Sequence, residues 1–417
     1  MSLQYIFGGS GAGKSTYLYN SIIKESIKNP LENYIIVVPE QYTMATQKRV
    51  VELHPRKGVL NIDVVSFERL AYKVGAADYP VLDDTGKNLI VRRVLEQNKK
   101  ALRFFGSNIS NTGFVSELKS VISEMLQYDI SVDKLLDINK NVDNNSLLGM
   151  KLDDISLIYG GFREFIKNNY ITSEEILDLM CRKVTESSKI RGSVIAFDGF
   201  TGFTPVQYRL MAILLDMCKE VKVALTIDIS EHVNINEGIE SLFYMTKDTV
   251  AHLNRICDEG HINVDKVTVG EDTVLTRFAA SKELAFLEKN IFRPGLRYYS
   301  GKVNDIVMYA GITPKDEIQY VSGEILKLTR LQGFRYNEIA VVTGDISVYG
   351  KLAANIFAQN DIPYFLDQKL HVTDNCLVEM ITAVLDVIEK NYTYDSMFRY
   401  LRTGLTGLSD ENIDILD

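Results

Sequence analysis

Eight consecutive residues near the start of the sequence, Gly8-Gly9-Ser10-Gly11-Ala12-Gly13-Lys14-Ser15, follow the spacing G-x-x-x-x-G-K-[ST]. The chemistry this spacing serves is the cradling of a phosphate chain. Glycines let successive backbone N–H groups turn inward, in conformations that other residues resist. Lys14 then reaches the β- and γ-phosphates, and Ser15 offers its hydroxyl to Mg²⁺. Thr16 continues into a helix whose N-terminus adds positive dipole. A site that splits the nucleotide also needs a carboxylate for the metal and a group that positions or activates water. Val194-Ile195-Ala196-Phe197-Asp198 is an apolar strand ending in Asp, and this gives Asp198 as the metal-side carboxylate. The plainer reading of Asp198 is a turn or helix-capping residue. Gly199 follows, where many ATPases place a catalytic Glu. Together these residues describe a site built to bind Mg-ATP and poorly equipped to split it, and they assign no catalytic residue.

The elements that must position these groups alternate. Leu3 to Phe7 reads as a strand running into the glycine turn. Leu18, Ile22 and Ile23 then share one face of a helix. Further strands are predicted at Tyr34 to Val38, stopped by Pro39, at Ile62 to Val65, at Val194 to Phe197 and at Val221 to Ile227. Short apolar strands alternating with helices predict an α/β fold with a parallel sheet covered on both faces. Between about 80 and 190 the pattern turns helical, with Leu118, Val121, Ile122 and Met125 on one stripe and Ile155, Ile158, Tyr159 and Phe162 on another. A polar loop, Asn139 to Asn145, separates them. Arg293-Pro294-Gly295 and the turn near Gly301 mark a boundary. Beyond it a new α/β unit is expected, with strands at Ile306 to Tyr309 and Ile339 to Val342 around a helix bearing Val321, Ile325 and Leu328. The sequence stops in a helix-like stretch without a cap, so it is expected to be a fragment of something longer.

Composition narrows the class. The 417 residues are 46% hydrophobic and 24% charged, which excludes a largely disordered chain, a collagen and a coiled-coil rod. No apolar run approaches the ~20 residues of a membrane helix, and no signal peptide is evident. No membrane association and a cytoplasmic location are therefore expected. Cys181, Cys218, Cys257 and Cys376 form no CxxC, so they read as core residues rather than metal ligands. The net charge of −9 argues against a uniformly basic coat. Residues 1–75 nonetheless hold nine Lys/Arg against six Asp/Glu, densest at Lys48, Arg49, Arg56 and Lys57.

Several segments carry a resemblance in their order. They are the glycine motif at 8–15, Val37-Val-Pro-Glu-Gln-Tyr-Thr43, Val65-Ser-Phe-Glu-Arg-Leu-Ala71 and Phe197-Asp-Gly-Phe-Thr-Gly-Phe-Thr-Pro-Val-Gln207. Ala310-Gly-Ile-Thr-Pro-Lys-Asp-Glu317, Asn360-Asp-Ile-Pro-Tyr364 and Leu401-Arg-Thr-Gly404 follow. Together they resemble the AddB (RexB) family, the B subunits of bacterial ATP-dependent helicase–nucleases. The resemblance implies a P-loop NTPase (RecA-like) sheet in a UvrD-like arrangement. A first RecA-like domain would comprise 1–80 and 190–290, a helical insertion 81–189, and a second, incomplete RecA-like domain 300–417. It also implies ATP and Mg²⁺ as ligands, an AddA-like helicase–nuclease partner, and work in double-strand break processing and recombinational repair. Single-stranded DNA, with a Chi-like sequence, would be the nucleic acid. The family's nuclease domain and iron–sulfur cluster would lie only in a C-terminal part missing here.

By the same resemblance Gln41, Tyr42, Thr43, Ser66 and Phe67 would lie along single-stranded DNA. Tyr42 and Phe67 would stack on bases, while Lys48 and Arg69 would meet phosphates. Phe200, Phe203 and Gln207 would couple nucleotide to DNA. The sequence also departs from UvrD-like helicases. Only seven residues precede Gly8, which leaves no room for an adenine-reading glutamine segment. Gly199 stands in place of Glu, and no Arg occurs between Val341 and Gly350. A motor with little activity of its own is expected. Two other readings stay open: a partner-binding scaffold with a vestigial P-loop, and a small-molecule P-loop kinase.

Overall fold

A computed structural model of the chain describes residues 1–75, 80–106, 111–128, 130–140, 142–143, 145–167, 169–233, 238–270, 276–293, 295, 297–367, 372 and 375–416. It forms two compact units, residues 1–305 and residues 306–417. Asn141, Asn144 and Pro294, named in the loop and boundary readings above, lie outside the described residues.

The first unit opens with β1 (Ser2–Gly8), α1 (Lys14–Lys28), β2 (Tyr34–Val37), α2 (Thr43–Leu53), β3 (Ile62–Val65) and α3 (Phe67–Lys73). A two-residue strand β4 (Val81–Leu82) leads into α4 (Asp84–Asn98), α5 (Thr112–Gln127), α6 (Val132–Asn139) and α7 (Leu147–Ile166). The chain returns through β5 (Ile171–Thr172), which pairs with β4, and α8 (Ser173–Lys183). Then come β6 (Val194–Phe197), α9 (Pro205–Met217), β7 (Glu220–Thr226), α10 (Tyr244–Glu259), β8 (Asn263–Thr268) and α11 (Lys282–Asn290). The six long strands form one parallel sheet in the order β3-β2-β6-β7-β1-β8. This is the α/β class expected.

Strand periodicity divides the core. Leu3, Tyr5 and Phe7 of β1, Ile35 and Val37 of β2, and Ile195 and Phe197 of β6 pack on one face with α3, α8, α9 and α10. Ile6, Tyr34, Ile36, Val194 and Ala196 point to the other, where α1 and α2 supply Leu18, Ile22, Ile23 and Val50. Both faces are buried, which is why these strands read as continuous apolar runs. The segment between β4 and β5 has a separate core. Ile90, Val91 and Val94 meet Leu118 and Ile122, and these meet Ile158, Tyr159 and Phe162. A buried carboxylate, Asp154, stitches this region together by accepting the backbone N–H groups of Arg103, Phe104 and Phe105 at 2.8 Å each.

The second unit contains α12 (Pro314–Leu331), α13 (Ile346–Gln359), α14 (Cys376–Glu389), α15 (Tyr394–Leu401) and α16 (Asp410–Leu416). Its core is small: Ile318, Ile325, Ile356, Phe357 and Ile362. Here the sequence expectation is corrected. Ile306 to Tyr309 and Ile339 to Val342 are not strands, and among the described residues this unit has no strand. An apolar run becomes a strand only when a neighbour completes its ladder. Met308 and Val342 are instead almost fully exposed.

Candidate functional site

The glycine motif leaves the C-terminal end of β1 and closes on the first turn of α1. Gly11 and Gly13 take φ of 81° and 93°, the left-handed region that glycine adopts without strain. Gly13 is the N-cap of α1 and offers no side chain to fill the helix N-terminus. Gly8 is fixed by a different constraint, since a Cβ there would lie 2.7 Å from the Val269 carbonyl oxygen. Lys14 Nζ donates to the carbonyl oxygens of Gly8 and Gly9, both at 2.9 Å. The lysine thus folds back over its own loop. Burial lowers its pKa first, the Asp198 charge works against that, and the Arg277 charge adds to the lowering.

Asp198 follows β6, and its backbone N–H donates to the Val37 carbonyl at 3.1 Å. Its carboxylate is buried and is held by the Tyr19 hydroxyl, which donates to Oδ2 at 2.6 Å. The fold therefore brings Lys14, Ser15 and Asp198 to the C-terminal edge of one parallel sheet, where ligands of open α/β sheets bind. The donor set tests whether Mg²⁺ fits. One carboxylate and one hydroxyl make an incomplete shell, and no cluster of three or more His, Cys, Asp or Glu occurs among the described residues. Mg²⁺ dehydrates reluctantly and binds through one or two carboxylates together with substrate phosphates. The residues fit a metal carried in with a nucleotide. They do not fit a metal held by protein alone.

Gly199 has φ of 81°, and its α-carbon faces Pro39 and the Tyr42 ring. Gln41 is exposed, and Tyr42 is 50% exposed at the end of a short 3₁₀ turn, Glu40–Tyr42. Thr43 is buried, and its hydroxyl donates to the Glu40 carbonyl at 2.9 Å. Ser66 is buried as the N-cap of α3, where its oxygen accepts from the Arg69 N–H. Arg69 is paired with Glu40 at 3.0 Å. Phe67 departs from the expected stacking role. It is 7% exposed, with Phe197, Phe200 and Phe203 at centroid distances of 5.6, 5.3 and 6.4 Å. Its faces are covered by core. Gln207 also has a local duty, because its Oε1 accepts the Thr204 N–H in the capping box of α9. Lys48, Arg49, Arg56 and Lys57 are exposed along and just beyond α2.

Two residues at the site escaped sequence reasoning. Tyr19 reaches Asp198 across 179 positions of chain. Arg277, in a 3₁₀ turn after β8, lies against the glycine loop, with its Cβ 3.0 Å from the place a Gly11 Cβ would take. Neither belongs to a spaced motif, so only the fold reveals them.

Comparison with known proteins accords with this geometry. The family described as ADDB, N-terminal, matches residues 5–288. The B subunit of the ATP-dependent helicase/deoxyribonuclease of Lachnoclostridium phytofermentans is 40% identical over all of this chain, which covers 37% of that relative. The proteins of the same name from Clostridium novyi and Caldanaerobacter subterraneus are each 33% identical over the whole chain, with 37% and 36% of their lengths covered. The chain spans little more than a third of the length of these relatives. Two thirds of its own length falls within one family's boundaries, and the glycine loop and Asp198 lie inside that match. On these grounds the chain belongs to the AddB family and corresponds to its N-terminal part.

Proposed function

We propose that this chain is the nucleotide-binding and single-stranded-DNA-binding part of the B subunit of a helicase–deoxyribonuclease. The relatives are named as B subunits of a helicase/deoxyribonuclease, which supports an AddA-like subunit as the proposed partner. Double-strand break processing and recombinational repair in the cytoplasm is the proposed setting, with a Chi-like sequence as the DNA that is scanned. Residues 1–80 and 190–290 would act as the first RecA-like domain of a UvrD-like arrangement. Residues 81–189 would be its insertion, and 300–417 would be part of a second domain. Any iron–sulfur cluster would belong to polypeptide outside this chain.

ATP would lie on Gly8, Gly9, Ser10, Gly11, Ala12, Gly13, Lys14, Ser15 and Thr16, with Mg²⁺ between Ser15 and Asp198. The metal would supply charge neutralisation of the phosphates. Lys14 would leave its loop carbonyls for the phosphate oxygens, and Arg277 is placed to add a second cation. Gln41, Tyr42, Thr43 and Ser66 would border the DNA path, with Phe67 supporting it from beneath. Turnover would be slow, because Gly199 brings no base to the Asp198 side. The observation that carries the reading is the convergence of Lys14 and Asp198 at the end of one sheet, under a loop whose glycines keep the space open. Calorimetry with Mg²⁺ and ATP on the wild type and Lys14→Ala tests it, followed by turnover with and without single-stranded DNA. Binding that needs Lys14, with negligible turnover, is expected. Wild-type protein that binds no nucleotide would refute it.

A further inference from the structure

The Tyr19 hydroxyl occupies a place that the nucleotide reading leaves unexplained. It is buried on α1, one turn beyond Ser15, and donates to Asp198 Oδ2 at 2.6 Å. A phenol has one proton to give. Here it goes to Asp198 Oδ2, so one buried oxygen fixes the carboxylate assigned to the metal.

We infer that Tyr19 is a positioning residue for the metal side of the site. It holds the Asp198 carboxylate in one orientation before any ligand arrives. This rests on the Mg–nucleotide reading and deepens it. Two observations support it. The Tyr19 bond fixes one carboxylate oxygen of Asp198, Oδ2, and leaves Oδ1 for a metal. The ring is packed in the core formed by Leu18, Ile22 and Ile36, so the hydroxyl is held by the fold itself. Without the phenol, Asp198 would be a buried carboxylate free to turn. Mg²⁺ binding would then have to order it.

Removing an outer-shell partner of a metal ligand weakens metal affinity about 10- to 100-fold. Tyr19→Phe keeps the ring and removes only the hydroxyl. ADP and ATP affinities should be measured by calorimetry with Mg²⁺ titrated and, separately, with EDTA. Melting curves on the same samples check the fold. Tyr19→Phe is expected to bind nucleotide in EDTA as the wild type does, while the Mg²⁺ concentration for half-maximal enhancement rises about 10- to 100-fold. Combining Tyr19→Phe with Asp198→Asn should add little to Asp198→Asn alone, since the two residues act through one contact. An unchanged Mg²⁺ dependence in Tyr19→Phe overturns the proposal while leaving the nucleotide site standing. So does an equal fall with and without Mg²⁺, which marks a merely structural role. Wild-type protein that binds no nucleotide overturns the site reading, and the Tyr19 role with it.

Discussion

The two strand ends that meet at the site are built differently. At the end of β1 every part of a phosphate cradle is present: left-handed glycines at 11 and 13, a lysine folded over the loop, and an open helix N-terminus. At the end of β6 stands the buried Asp198 carboxylate, and the next position is a glycine with φ of 81° beside Tyr42. Behind it stands an aromatic cluster of Phe67, Phe197, Phe200 and Phe203. On the proposed reading the first end holds a nucleotide, and the second is a rigid turn. The contrast teaches that holding and splitting a nucleotide are separable demands. The atoms that satisfy the first lie within eight consecutive residues, while the second asks for a further group that this backbone does not offer.

The sharpest break of that contrast is at Lys14. Its ammonium would make at least two charge-assisted bonds to phosphate, each worth about 1.5–3 kcal/mol. Lys14→Ala is expected to weaken ATP binding at least about 100-fold, or roughly 3 kcal/mol. The melting temperature without nucleotide should stay near the wild-type value, because the lysine's present partners are two carbonyls of its own loop. Calorimetry and a thermal melt on the same sample check both halves. A large loss of stability would make Lys14 a structural residue.

The β6 end is tested by opposing two aromatics. Phe67→Ala removes a ring buried among three others and is expected to destabilise the first unit by about 3–5 kcal/mol in denaturant unfolding. Tyr42→Ala exposes no core and should leave stability within about 0.5 kcal/mol. It should instead weaken single-stranded DNA binding by about 1–3 kcal/mol, the worth of one stacked base. Fluorescence anisotropy with a labelled oligonucleotide reads the second effect. If Phe67→Ala lost DNA affinity at full stability, the buried assignment of that ring would be wrong.

The cradle was legible because its meaning lies in adjacent residues. The strands β2 and β6 were legible because a sheet covered on both faces leaves unbroken apolar runs. Edge strand β8 gave no such signal: Asn-Val-Asp-Lys-Val-Thr is polar and exposed over its first four residues. The reverse error arose at 306–309 and 339–342, where apolar residues promised strands that find no paired neighbour among the described residues. Phe67 looked like a stacking residue because sequence shows a ring at a strand end and hides the three rings around it. Tyr19 and Arg277 carried no spacing at all, since each reaches the site only through tertiary structure.

Gly199 gives a modest effect on stability and the most direct test of the contrast. With φ of 81° the position lies where an L-residue costs about 1–2 kcal/mol. Space is not the obstacle, because a Cβ would sit 3.4 Å from Pro39 Cδ, an ordinary contact. Gly199→Ala should therefore lower unfolding stability by about 1–2 kcal/mol, and Gly199→Asn by less, since Asn tolerates the left-handed region. Gly199→Glu should carry a similar backbone cost and still show negligible ATP turnover with single-stranded DNA. A carboxylate reaching water from this position would have to leave from a left-handed backbone hemmed by Pro39 and Tyr42. DNA-stimulated turnover in Gly199→Glu at wild-type stability would show that one side chain alone separates holding from splitting. The two strand ends would then differ by a single residue, and the geometry of the turn would not matter.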